Sequence, residues 1–205
     1  MRAATRERIL DAALDSFGTK GYEATSLDAL ALGLGITKQS ILYHFASKEA
    51  LLAAVIDRSG AELAAALEDG LARAGEGWLR VEAVVRAVFR IAARRPELLG
   101  LVREVSRLGP PAATRLTAAL EPLVARATAF LEAEMAAGRM RRQEPGLLLL
   151  SAYSTVIGTA TEVEVLRALG YEPTLRSLVR RRAEILAFLR SALVPGRAAP
   201  WDRPR

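Results

Sequence analysis

Apolar residues recur at helical spacing from the first turns of the chain. Ile9, Leu10, Ala13, Leu14 and Phe17 fall on one face of a helix over about 4–19, and Lys20-Gly21 ends it. Thr25 or Ser26 then caps a second helix whose apolar positions are Leu27, Leu30, Ala31 and Leu34. Gly35 makes a turn that needs tolerance of positive φ, and Ile36 plugs the corner. Thr37 caps a third, short helix with Ile41, Leu42 and Phe45 directed inward. Ser47 caps a fourth, which carries Leu51, Leu52, Val55 and Ile56 and continues past Arg58.

Beyond that point glycine and proline punctuate the apolar pattern. They predict helices over 61–74, 78–94, 96–108, 113–137, 146–169 and 174–193. Runs of β-branched and aromatic residues are scarce, and Ala, Leu, Arg and Glu dominate, so the fold class expected is all-α. The pattern divides the chain into a helix-turn-helix head over 1–48 and a helical body over 49–196. Residues 197–205, with Pro200 and Pro204, are expected to form a disordered tail.

Two helices joined by a glycine turn are the shape that enters the DNA major groove, with the N-terminal residues of the second helix facing base edges. Those residues are Thr37, Lys38, Gln39 and Ser40. Lys38 can donate to guanine or to phosphate, Gln39 can pair bidentately with adenine, and Ser40 can make either kind of contact. Tyr43 and His44 lie one turn further on, where they can donate to phosphate. Lys48, at the start of the fourth helix, adds its charge to exposed backbone N–H groups, and Thr25 and Ser26 can clamp the flanking strand.

Charge qualifies this picture. The net charge of +6 invites a nucleic-acid reading, but residues 1–58 hold seven Lys/Arg and seven Asp/Glu. The whole positive excess lies in residues 59–205, so recognition has to depend on where charges sit in the head. Only three of the 29 basic residues are lysine: Lys20, Lys38 and Lys48.

The stretch from Thr5 to Leu52 resembles the N-terminal DNA-binding domain of the TetR family of transcriptional repressors. The resemblance is carried by Arg8-Ile9-Leu10-Asp11-Ala12-Ala13, Phe17, Gly21-Tyr22, Ala24-Thr25-Ser26, Leu30-Ala31, Gly35-Ile36-Thr37, Tyr43-His44-Phe45 and Lys48-Glu49-Ala50-Leu51-Leu52. It implies a ligand-responsive regulator: a homodimer whose two heads read a pseudo-palindromic operator in double-stranded DNA. The body would then bind a small-molecule effector, and the last two long helices would pair with their mates. Ile41-Leu42 stands where members often have Leu-Tyr, so Tyr43 or His44 would have to supply that phosphate contact. Gln39 stands where members often have a small residue, which makes it a candidate for this protein's own base preference.

The body's two last apolar helices carry Leu147, Leu150, Tyr153, Val156, Ile157, Ala160 and Val163, then Leu175, Leu178, Val179, Ile185, Leu186, Leu189 and Leu193. That is more apolar surface than a single water-facing layer holds, which fits a dimer interface or the core of a larger monomer. Trp78, Phe89, Phe130 and Tyr153 are the bulky candidates for an effector pocket, with Arg103 among the arginines that can meet an acidic group. The basic body would suit an anionic effector such as an acyl-coenzyme A, or solubility alone.

Enzymatic readings find little support. There is no cysteine and a single histidine, His44, which falls inside the third helix. No metal or organic cofactor is expected beyond the effector, and there is no P-loop or dinucleotide fingerprint. The acid pairs Glu132/Glu134 and Glu162/Glu164 are two residues apart and diverge by about 200° on a helix. The most apolar segment, 147–169, contains Glu162, Glu164 and Arg167 and makes a poor membrane span, so a soluble cytoplasmic protein is expected.

Overall fold

A computed structural model describes residues 2–72 and 74–195, without the side chain of Arg2. The tail expected over 197–205 lies outside the described residues. Among the described residues ten helices follow in order: α1 (Arg2–Thr19), α2 (Leu27–Leu34), α3 (Lys38–His44), α4 (Lys48–Ala72), α5 (Trp78–Arg94), α6 (Pro96–Leu108), α7 (Ala112–Ala136), α8 (Pro145–Thr161), α9 (Val163–Ala168) and α10 (Leu175–Leu193). Among the described residues there is no strand, and no helix is long and apolar enough to cross a membrane.

The helices group into two compact units, cut differently from the expected head and body. One contains the chain up to Ala66 together with Arg94–Pro122; the other contains Leu67–Ala93 and the chain from Leu123 onward. The first unit takes α6 and the start of α7 along with the head because α1 and α6 pack backbone to backbone. A Cβ added at Gly18 would stand 2.2 Å from the Glu97 carbonyl oxygen, and one at Gly100 would stand 2.1 Å from that of Gly18. Only glycine at both positions permits that approach.

The apolar stripe of α1 is fully used: Ile9, Leu10, Ala13, Leu14 and Phe17 are all buried, as are Leu51, Val55 and Ile56 of α4 and Leu98, Leu101 and Val105 of α6. Arg58 of α4 pairs with Glu7 and Asp11 of α1 at 3.1 and 2.9 Å. Arg95, just before α6, pairs with Glu62 of α4 at 2.7 Å. Leu34 and Leu42, expected inside, are only half-buried.

Two element boundaries differ from expectation. The break expected near Ser59-Gly60 is absent, and α4 runs unbroken from Lys48 to Ala72. Gly60 serves close packing instead, since a Cβ there would lie 2.8 Å from the Ala119 Cβ of α7. The helix expected over 146–169 is instead interrupted at Glu162, where ψ turns to 78°. Its second half is rich in β-branched residues, and Thr155 and Thr161 bond back to the carbonyls of Ser151 and Ile157, a pattern that weakens and bends helices. Arg181 of α10 donates to the Thr159 carbonyl at this end of α8. Desolvation lowers the Arg181 pKa.

In the second unit α8 packs on α10, and the chain entering α8 is tied to the end of α10 by the Arg141 N–H donating to the Leu193 carbonyl at 2.8 Å. Leu148, Val156 and Ala160 of α8 and Leu178, Ile185, Leu189 and Leu193 of α10 are buried. The same two helices leave Leu147, Leu150, Tyr153, Leu175, Val179 and Phe188 exposed. Glu134 is buried and bound bidentately by Arg139 at 2.8 Å through both oxygens. The Arg139 hydrogen bonds hold its carboxyl below the usual carboxylate range.

Candidate nucleic-acid interface

The geometry of α2 and α3 is set by three local devices. Ser26 is the N-cap of α2, its hydroxyl accepting from the Ala29 N–H at 3.1 Å. Gly35 closes α2 in the left-handed region at φ 66°, and the Ile36 N–H donates to the Ala31 carbonyl at 3.0 Å. That pairing of a left-handed glycine with a bond from the next residue is a Schellman closure. A Cβ at Gly35 would meet nothing within 4 Å, so glycine is needed there for its φ and not for space. Thr37 is the N-cap of α3, accepting from the Ser40 N–H at 3.2 Å, and its hydroxyl shares a 2.9 Å hydrogen bond with that of Ser40.

Ile41, fully buried, and Phe45 anchor the inner side of α3. With that face inward, Lys38, Gln39 and Tyr43 are exposed, Tyr43 to 67%, while Ser40 and His44 are half-buried. His44 meets the edge of the Tyr43 ring, with centroids 5.2 Å apart. Ser47 caps α4 by accepting from the Ala50 N–H at 3.1 Å. Lys48, in the first turn, lies with its amine 4.1 Å from the centre of the Tyr22 ring.

Thr37, Lys38, Gln39, Ser40, Tyr43 and His44 thus lie on α3 and its cap, while Ser26 caps α2 and Lys48 stands in the first turn of α4. Thr25 is the correction. It is buried, its hydroxyl donates to the Gly21 carbonyl and shares a hydrogen bond with Ser16, both at 2.8 Å. Its side chain fastens the α1–α2 loop and is not available to a phosphate.

Two further residues make contacts near this surface. Asp28 holds the Lys38 amine at 2.9 Å across an exposed pair, a contact suggested only by its place in the first turn of α2. Tyr22 packs against Phe17 and donates its hydroxyl to Glu49 at 3.0 Å. Burial, followed by the Glu49 hydrogen bond, pushes the Tyr22 pKa up to about 12.

The five effector candidates differ in burial and in the unit that holds them. Phe89 is buried in the second unit's core, and Tyr153 is 44% exposed on α8. Trp78 and Phe130 are half-buried, beneath Arg190 and Arg80 respectively. Arg103 is exposed on α6, in the first unit. One open groove is lined by Ala113, Thr114, Thr117, Ala118 and Glu121. Another lies between the end of α4 and α5, lined by Gly70, Leu79, Glu82, Arg86 and Arg90 among others. Neither groove is lined by any of the five candidates.

Residues 9–55 match the model of the bacterial regulatory proteins of the tetR family. Over 54 residues the chain is 44% identical to the HTH-type transcriptional regulator RutR of Escherichia coli strain K12, covering 26% of each protein. Over 46 residues it is 41% identical to the negative transcriptional regulator IcaR of the biofilm operon icaADBC in Staphylococcus aureus strain Newman, covering 22% of this chain and 25% of that protein. The match thus spans about a quarter of the length of these relatives. The whole fold is similar to that of the transcriptional regulator FadR from Bacillus subtilis, solved in complex with stearoyl-CoA. The TM-score is 0.74 at 18% identity, over 91% of this chain and 98% of that one. These comparisons and the α2–α3 geometry agree on the head: residues 9–55 match the tetR family of bacterial regulatory proteins.

Proposed function

We propose that the protein is a DNA-binding transcriptional regulator: a homodimer that represses from a pseudo-palindromic operator and leaves it on binding a small-molecule effector. The observation that carries this reading is the exposed row Lys38, Gln39 and Tyr43 on an α3 capped by Thr37 and anchored by Ile41. Such a row presents one potential phosphate or guanine contact, one bidentate amide and one phenol to a groove. Ser26 and Lys48 flank it at the starts of α2 and α4, where helix N-termini favour phosphate.

The exposed apolar positions on α8 and α10 support the dimer, because a monomer in water rarely leaves so many large apolar side chains uncovered. The description of IcaR as a negative regulator supports repression as the direction of control. The excess of arginine in residues 59–205, with the stearoyl-CoA bound by the similarly folded FadR, supports an anionic effector such as an acyl-coenzyme A. Release is then linkage: an effector that favours a head spacing poorly matched to DNA is itself bound more weakly by the DNA complex. Couplings of about 1–3 kcal/mol give roughly 5–150-fold changes in affinity.

Selection of binding sites from random duplexes, followed by titration across salt, tests the reading. A palindromic winner whose affinity falls steeply with salt is the expected result. Absence of enrichment at low salt, with the protein folded, would rule it out. Failure of acyl-coenzyme A to change operator affinity would remove that effector class alone.

A further inference from the structure

Glu104 lies on α6, far along the chain from the head, yet its carboxylate touches the head's backbone. The Tyr22 N–H donates to Glu104 Oε1 at 2.7 Å, across 82 residues of sequence. Arg107 grips the same carboxylate from α6, its Nε on Oε2 at 2.9 Å and a terminal nitrogen on Oε1 at 2.8 Å. Held by two charge-assisted bonds, the carboxylate has little freedom to turn. The chain is shaped to receive it. Gly21 has φ 91°, and a Cβ there would lie 3.3 Å from Glu104 Oε1.

From Tyr22 the contact continues to the start of α4. The ring lies under the Lys48 amine at 4.1 Å, and the hydroxyl donates to Glu49 at 3.0 Å. One tyrosine thus joins α6, through its backbone, to two consecutive residues of the first turn of α4, through its side chain.

We propose that Glu104 is a positioning residue for DNA binding: by fixing Tyr22 it holds the Lys48 amine where the head meets a phosphate. This inference rests on the reading of the head as a DNA-binding domain. A flexible lysine loses rotamer freedom when it meets a phosphate, and an amine already confined over an aromatic face has less to lose. The same link gives α6 a direct hold on a DNA contact without any change in α3.

The test combines two measurements on the full chain. Its three lysines make selective 13C-lysine NMR simple, and among the described residues Lys48 is the one held over an aromatic ring. In the DNA-free protein its ε-methylene signal should be shifted upfield by the Tyr22 ring. Glu104→Ala should move it toward that of the exposed Lys20. Glu104→Gln, which keeps an acceptor for the Tyr22 N–H, should leave it near its original place.

Duplex affinity then closes a double-mutant cycle. Lys48→Ala should weaken binding about fivefold per subunit at 0.15 M salt and lower the salt slope by about 0.9 per subunit, about 1.8 for the dimer, the value of one phosphate contact from each head. Glu104→Ala should weaken binding in the wild-type background, by no more than Lys48→Ala does, and by nothing further in the Lys48→Ala background. An unmoved Lys48 signal in Glu104→Ala would overturn the proposal. So would an equal loss of affinity in both backgrounds, the mark of a purely structural role. If the wild-type protein binds no duplex, the DNA-binding reading fails and this positioning role fails with it. If wild type binds but the cycle is additive, only the positioning role fails.

Discussion

Replacing Gly100 with alanine sets two effects of known size against each other. In a helix interior alanine is favoured over glycine by about 1 kcal/mol, so propensity alone predicts a more stable protein. At this position, however, the new Cβ would stand 2.1 Å from the Gly18 carbonyl oxygen and 2.9 Å from the Gly18 carbonyl carbon. An ordinary carbon–oxygen contact is about 3.3 Å or longer, so α1 and α6 must part by roughly 1 Å. The obstacle is backbone, which no rotamer change can relieve. Overpacking of this kind costs about 1–3 kcal/mol or more, and parting the helices loosens the seam beside Phe17 and Leu101, both fully buried. The steric term wins, with an expected net loss of about 1–2 kcal/mol. That corresponds to roughly 2–8 °C in Tm for a chain of this size. Gly33→Ala is the matched control, because a Cβ there meets nothing within 4 Å and φ is not positive. It should gain up to about 1 kcal/mol. Thermal and urea unfolding followed by helical circular dichroism read both variants. A Gly100→Ala protein as stable as wild type, beside a stabilised Gly33→Ala, would refute the backbone-crossing argument.

Gln39→Ala should relax preference at one base position in each half-site while leaving the salt slope unchanged, whereas Lys38→Ala should weaken all duplexes and lower the slope by about 1 per subunit if Lys38 meets a phosphate; site selection and salt titration separate the two. Val179→Glu places a charge on an α10 position that is 55% exposed, so the subunit should fold normally while its mass by light scattering drops to that of a monomer. A mass unchanged from wild type would remove α10 from the interface. Glu134 has its carboxyl held below the usual range by Arg139, so its contribution is present above about pH 4.3 and lost as pH falls through the lower folded-state value. Glu134→Gln should therefore flatten the acid limb of the stability–pH curve and lower stability at pH 7. Ser26→Ala should cost about 1 kcal/mol through loss of the α2 cap, measured by urea unfolding.

The features legible in the sequence are local in origin. The helix-turn-helix was legible because its caps, its glycine turn and its inward anchors lie within a few residues of one another: Ser26 on Ala29, Gly35 after α2, Thr37 on Ser40. The spans of α5 and α6 were equally legible, since Arg94 and Leu108 are followed within two residues by Pro96 and Gly109. The tertiary structure decided wherever a residue's partner is distant in the chain. Gly60 reads as a helix break, and becomes a packing site only because Ala119 needs the space. Thr25 reads as a cap or a phosphate clamp, and turns inward because Ser16 and Gly21 take its hydroxyl. Glu104 carries no signal at all in one dimension; its meaning arises when the α1–α6 glycine crossing brings α6 against the head and the Tyr22 N–H requires an acceptor. Local hydrogen bonds and periodicity are written in neighbouring residues, whereas close approach and burial depend on which distant helices the chain brings together.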